Sequence, residues 1–194
     1  MEVNLPEGAT PLDLDEAQGL IPSLSTQGEL NEFEAANIVQ GASWARKSRQ
    51  VKGSLLDDKT LRELHKRMFG DTWKWAGKYR VTQKSIGCEA WQISTALKSL
   101  VEDVKAWIES GIYSSEEIAA RFHHKLVWIH PFANGNGRFA RLATDLLCGQ
   151  QCWPLSKWGS SNLCTQGETR REYIDALRAA DSNRFTELID FMGR

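Results

Sequence analysis

The chain has 194 residues, enough for one domain with a full core. Its 24 Lys and Arg against 25 Asp and Glu leave a formal net charge of −1, so nothing in the balance asks for nucleic acid or an anionic membrane as partner. No apolar run is long enough to span a bilayer, and Met1-Glu2-Val3-Asn4-Leu5-Pro6 lacks the basic and apolar regions of a signal peptide, so a cytoplasmic protein is expected.

Residues 1–24 are rich in Pro, Gly and acids. Pro6, Pro11 and Pro22 predict an extended arm over the surface, ordered by packing of Leu12, Leu14, Leu20 and Ile21. A helical pattern then runs from Ser25 or Thr26 to about Arg49, with Leu30, Phe33, Asn37, Ile38, Gly41 and Trp44 along one side. Asp57 or Asp58 caps a second helix over 57–69, whose stripe is Leu61, Leu64 and Met68. The string Trp73-Lys74-Trp75-Ala76-Gly77-Lys78-Tyr79-Arg80 brings aromatics that belong in a core. Residues 81–93 predict two short strands with a turn near Gly87. Ser94 is the expected cap of a helix ending at Gly111, and Ser114-Ser115-Glu116-Glu117 is a capping box for the next. Ile118, Ala119, Phe122, Leu126 and Ile129 give that helix its apolar face.

A loop follows, and beyond it Phe139, Leu142, Ala143, Leu146 and Leu147 keep the spacing of a buried helix. Residues 149–167 read as loop. Two more helices fit 168–180 and 184–192, the second capped by Ser182. The four cysteines, Cys88, Cys148, Cys152 and Cys164, form no Cys-x-x-Cys pair and read as reduced and structural. Helices with one hairpin and no β-α-β alternation predict an all-α domain over 25–194, its core at about 57–150, with 1–24 as the arm.

The chemistry concentrates in His130-Pro131-Phe132-Ala133-Asn134-Gly135-Asn136-Gly137-Arg138-Phe139-Ala140-Arg141. Pro131 pushes His130 out of helical angles, which ends the incoming helix and leaves the imidazole at its exit. Gly135-Asn136-Gly137 permits positive φ, and successive amides in such a turn make an anion nest. The next helix, starting near Gly137 or Arg138, adds its free N–H groups. Arg138 and Arg141, three apart, share a face of its first turn, where they oppose the macrodipole unless an anion offsets them. The combination predicts a phosphate site with a proton acceptor beside it.

These residues resemble the signature of the Fic family of nucleotide-dependent transferases, His-x-Phe-x-(Asp/Glu)-Gly-Asn-Gly-Arg-x-x-Arg. Seven of its eight specified positions are identical here, namely His130, Phe132, Gly135, Asn136, Gly137, Arg138 and Arg141; the exception is Asn134, where the family usually has an acid. Trp75-Ala76-Gly77 with Arg80 resembles the Trp-Ala-Gly-x-x-Arg segment of Fic domains, and the whole-chain pattern resembles the subgroup called mobile mystery protein B. The fold implied is a Fic-type helical domain. Its small hairpin flap, here Ser85, Ile86, Gly87 and Cys88, would pair with the backbone of the target.

The activity implied is transfer of AMP from ATP to a Ser, Thr or Tyr hydroxyl of a protein. In that role His130 takes the hydroxyl proton. The Gly135-Asn136-Gly137 backbone holds diphosphate oxygens. Arg138 meets the β-phosphate region and Arg141 the γ-phosphate. Pyrophosphate leaves with Mg²⁺, whose site Asn134 weakens because an amide oxygen brings no charge. A nucleotide-binding regulator without turnover and a peptide-binding module are the other classes the loop admits. Many Fic proteins also carry an inhibitory helix, (Ser/Thr)-x-x-x-Glu-(Gly/Asn). Ser25-Thr26-Gln27-Gly28-Glu29-Leu30 offers Glu29 as that candidate, with Glu32 one turn on, although Leu30 departs from the pattern. Taken alone, Ser25 or Thr26 caps a helix and Glu29 offsets its dipole. A separate inhibitory partner protein is the other source of restraint.

Overall fold

The computed structural model describes residues 12–160 and 167–194. The described helices, in order, are α1 (Leu14–Ala17), α2 (Gln27–Lys47), α3 (Arg49–Ser54), α4 (Asp58–Phe69), α5 (Ile93–Ser110), α6 (Ser115–Ile129), α7 (Asn136–Gln151), α8 (Glu168–Asp181) and α9 (Thr186–Gly193). The main core lies where α4, α5, α6 and α7 turn their apolar faces together: Leu61, Leu64, Met68 and Phe69 against Leu97, Leu100, Phe122, Leu126, Phe132, Phe139 and Leu147. A second cluster, around Tyr173, Leu177, Leu188 and Phe191, fastens α8 and α9 against Ala119, Ala120 and Cys148.

Local signals place the boundaries around the loop. The Ser114 hydroxyl accepts from the Glu117 amide and starts α6. His130 ends α6 in a left-handed conformation, φ 51° and ψ 60°. Gly135, at φ 78°, turns the chain into α7. Asp57 caps α4 by accepting from the Thr60 amide, and Gly111 closes α5 at φ 61°.

Five expectations change, the first being that α5 begins at Ile93 after Gln92, so Ser94 lies inside the helix and does not cap it. Among the described residues 81–93 form no paired strands; the chain there is an irregular loop ending in a 3-10 turn at Ala90–Gln92. Arg80 explains this. Its guanidinium donates to the carbonyls of Thr82 and Cys88, so oxygens that a hairpin ladder would use converge on one buried cation. The arm is not wholly extended, since α1 interrupts it; Leu12 and Leu20 pack on the core while Leu14 and Ile21 stay exposed. Helix α2 stops at Lys47, where Ser48 leaves helical geometry and caps α3 through the Val51 amide. Ser182 closes α8, its amide bonded to the Ala179 carbonyl, and Phe185 holds the position before α9. Cys164 lies outside the described residues; Cys88, Cys148 and Cys152 are free thiols.

The inward face of α2 holds the expected Asn37 and Gly41, with Leu30, Ile38 and Trp44 packed on the core, and differs by adding Glu34 and Ala45 and leaving Phe33 out. Glu34, Asn37, Gly41 and Ala45 are buried, and Phe33 is exposed. Gly41 allows the helix to lie against α4: a Cβ there would stand 2.6 Å from the Arg67 carbonyl oxygen. Asn37 completes the joint, its carbonyl oxygen accepting from the Asp71 amide and the Thr72 hydroxyl.

Candidate active site

His130 stands at the end of α6 and is only 6% exposed. The loop from Arg80 to Cys88 lies over it. Arg80 Nε donates to the His130 carbonyl at 2.7 Å, the Arg80 amide donates to the Pro131 carbonyl at 2.9 Å, and the Cys88 thiol meets the Ile129 carbonyl at 3.4 Å. Gly87, at φ 98°, passes so close that a Cβ would lie 2.6 Å from that of His130. Burial first, then the positive charges of Arg80 and Lys84, lower the His130 pKa to about 4. The ring is therefore neutral at pH 7 and has a lone pair for a proton.

The loop behind His130 is closed by Asn136. Its side chain accepts from the Phe132 amide at 2.9 Å and donates to the Phe132 carbonyl at 2.8 Å, so its amide group is spent on the turn. What Asn136 offers a ligand is its backbone N–H at the start of α7, with those of Gly137 and Arg138, none of which has an intrahelical acceptor. Phe132 is fully buried and stacks on His65, as an anchor should.

The two arginines bracket this helix start but have different neighbours. Arg138 lies over the Phe69 ring and donates to Glu34 Oε2 at 2.7 Å. Glu34 is buried, and its other oxygen accepts from the Trp73 indole at 2.6 Å. Arg141 runs back toward Gly137, a Cβ on which would lie 3.8 Å from Arg141 Nη1. Its guanidinium carbon is 6.0 Å from the Tyr173 ring centroid. Asp145, one turn on, has its pKa raised to about 6 by burial, against the opposing pull of Trp158, Arg141 and Arg46.

Glu34 is the carboxylate that holds Arg138, and hydropathy conceals it because a charged residue is assigned to the outer face. Glu29 is elsewhere: its Oε2 accepts from the Ser25 and Thr26 amides at 2.7 and 3.0 Å, which makes it the third residue of a capping box. Those two amides hold its carboxyl below the usual range. Glu32 is exposed. Of the docking candidates, Ser85 and Ile86 are exposed beside His130, Gly87 packs on it, and Cys88 is buried under it.

Lys84 is a residue that the sequence pattern misses, and Arg80 stands in the Trp-Ala-Gly-x-x-Arg segment without a role. Lys84 is buried, and its ammonium binds Asp13 at 3.0 Å and Glu16 at 2.5 Å. The arm thereby straps the loop from one side, with the Trp75 indole donating to the Glu16 carbonyl and Leu20 bridged to Trp73.

The donor set does not fit a Mg²⁺ ion held by the protein. Asn134 supplies one neutral amide oxygen, already taken by the Gly135 amide at 2.5 Å, and among the described residues no group of three His, Cys, Asp or Glu side chains could hold a metal.

Helical packing around a helix–loop–helix with a neutral histidine and an arginine-bracketed helix start is the arrangement that the Fic resemblance implies. The model of the Fic/DOC family matches residues 55–148, which form a Fic/DOC family domain. The chain is 30% identical over 136 residues to a protein adenylyltransferase Fic of Nematostella vectensis, covering 68% of this chain and 30% of that protein. Fic-1 of Caenorhabditis elegans (residues 134–508) superposes with a TM-score of 0.63 at 27% identity, over 93% of this chain and 52% of that one. The BepC protein of Bartonella tribocorum, with bound AMPPNP, gives a TM-score of 0.68 at 21% identity, over 97% and 93%. The chain spans less than a third of the length of the curated relatives it matches.

Proposed function

We propose that the protein is an adenylyltransferase that moves AMP from ATP to a Ser, Thr or Tyr hydroxyl of a target protein. The observation that carries this is His130, held neutral at the exit of α6 beside the unpaired amides that open α7. The target oxygen attacks the α-phosphorus as its proton passes to His130. The bond to the β-phosphate oxygen breaks, and pyrophosphate departs. The Gly135, Asn136 and Gly137 amides bind phosphate oxygens and stabilise the charge that develops. Arg138 and Arg141 hold the β- and γ-phosphates. The target segment docks along Ser85–Cys88, over the histidine.

Restraint comes from Glu34 rather than Glu29. Its carboxylate holds Arg138, so the phosphates compete with an existing ion pair for that cation. A separate partner protein would act on the same face. The whole-chain pattern supports membership of the mobile mystery protein B subgroup, and a cytoplasmic location would supply the ATP that this activity uses. ATP brings its own Mg²⁺, since the loop supplies no carboxylate. The test is mass spectrometry of the protein and of candidate targets after incubation with ATP. An added AMP on a hydroxyl residue that disappears with His130→Ala supports the activity. Tight ATP binding with no modification identifies a nucleotide-binding regulator, and no ATP binding leaves the peptide-binding module.

A further inference from the structure

We propose that His65 of α4 is a positioning residue that sets the direction of the Asn134–Gly135 peptide and so aims the Gly135 N–H at the phosphates. The inference rests on the nucleotide reading of the loop but concerns a side chain buried behind it.

The hydrogen bonds fix the tautomer. The Gly77 amide donates to His65 Nδ1 at 3.1 Å, so Nδ1 is an acceptor. The neutral ring then carries its proton on Nε2, which lies 3.1 Å from the Asn134 carbonyl oxygen and donates to it. The imidazole is fully buried and stacks on Phe132, with a centroid separation of 3.7 Å, so it has no other orientation to take.

A trans peptide is planar, and its C=O and N–H point in opposite directions. Pinning the Asn134 oxygen inward on His65 therefore turns the Gly135 N–H outward, to the side of the loop where the α7 amides open. Something must pin it. Gly135 has φ 78°, and glycine takes either sign of φ at little cost, so this peptide would otherwise flip easily. A flipped peptide presents a carbonyl oxygen where the anion needs a donor. The outward N–H is covered by Asn134 Oδ1 at 2.5 Å, a neutral acceptor that an anionic phosphate oxygen displaces. Gly77, at φ 76°, supplies the other half of the clamp, and links the Trp75-Ala76-Gly77 turn to the signature loop through one ring.

Two substitutions divide the clamp. Gln in place of His puts an amide nitrogen the same number of bonds from Cα as Nε2, so His65→Gln keeps the donor to Asn134 and gives up the acceptor for Gly77. Asn matches Nδ1 instead, so His65→Asn keeps the Gly77 contact and loses the donor. Both remove the ring and lower stability, which a melting curve of each full chain measures. The first readout needs no ligand: the ¹⁵N amide signal of Gly135 stays single and sharp in wild type and His65→Gln, and broadens or doubles in His65→Asn. The second compares ATP with adenosine. In His65→Asn, ATP binds about tenfold more weakly, while adenosine affinity holds within about twofold. Equal losses of ATP affinity in the two variants, or a sharp single Gly135 signal in His65→Asn, overturn the proposal. If wild type binds no ATP yet the Gly135 signals behave as described, the nucleotide reading fails and the positioning role stands.

Discussion

At the scale of single residues, a neutral base and a contested cation decide what the site does. Burial and two cations lower the His130 pKa to about 4. An exposed histidine loses its free base as pH falls through about 6.5; this one stays unprotonated until well below pH 5. The transfer rate is therefore expected to change little between pH 8 and 6 and to fall only near pH 4 to 5, where the fold itself gives way. A rate profile with an inflection near 6.5 would contradict that environment. His130→Ala should abolish transfer and leave ATP affinity nearly unchanged, because the ring acts on the hydroxyl and not on the phosphates; a labelled-nucleotide assay beside calorimetry reads both. For Glu34 the informative change is Glu34→Gln. The amide oxygen still accepts from Trp73, but the charge that holds Arg138 is gone. A charge-assisted pair is worth about 1.5–3 kcal/mol, so ATP should bind about tenfold tighter, and automodification should rise with it. Glu29→Gly removes half of a capping box and should lower the melting temperature without changing the rate. The ranking reverses if Glu29→Gly activates and Glu34→Gln does not.

At the scale of elements, α2 is the part whose placement controls the arginine, and Gly41 is why it lies where it does. Gly41→Ala puts a methyl into the backbone of α4 at Arg67, so the helices must separate. Overpacking of this kind costs about 1–3 kcal/mol. The displaced α2 takes Glu34 with it, so stability should fall while ATP affinity rises, opposite signs that urea titration and calorimetry separate. Loss of both together would mean that α2 supports the nucleotide site instead of restraining it. The same helix marks where sequence reasoning stops. The faces of α4, α5, α6 and α7 were legible because apolar spacing, Asp57, Ser114 and Gly111 all point to one answer. The signature loop was legible because Gly135 and Pro131 act through local backbone geometry. In α2 the inward residues Glu34 and Asn37 are polar, since they meet Arg138, Trp73 and the end of α4 rather than a core. Periodicity therefore found the inward side through Asn37 and Gly41, with Leu30, Ile38 and Trp44 packed on the core, but left out Glu34. Residues 81–93 failed for a related reason: a strand-like alternation loses to long-range contacts, Arg80 gathering the local carbonyls and Lys84 drawn under Asp13 and Glu16. Asp13 and Glu16 are far from Lys84 in sequence, and Arg80 turns the neighbouring carbonyls away from a ladder.

At the scale of the whole molecule, the fold commits itself to neutral histidines. Burial lowers the pKa of His65 and of His123 to about 3, and that of His130 to about 4. In the unfolded chain each returns to about 6.5. Between about pH 4 and 6 the unfolded state thus binds three protons that the folded state refuses. Asp145 works the other way: folded, its pKa is raised to about 6 by burial, so it keeps a proton that the unfolded carboxyl releases. The balance is about two protons taken up on unfolding. Linkage makes stability rise with pH across this window, by about 3 kcal/mol per unit, and level off above about 6.5. Net stabilities are typically about 5–15 kcal/mol, so the protein should unfold in mild acid, near pH 4 to 5, with no ligand or metal lost. Urea midpoints at pH 4.5, 5.5 and 7.5 measure the slope. His123→Gln keeps a donor for the Tyr173 hydroxyl and removes one of the three titrating rings, so its slope should be shallower than that of wild type. Asp145→Asn deletes the opposing group and should steepen it. A midpoint that does not change from pH 7.5 to 4.5 would mean that the buried rings take up protons in place, and the neutral forms assigned to His65 and His130 would have to be given up together.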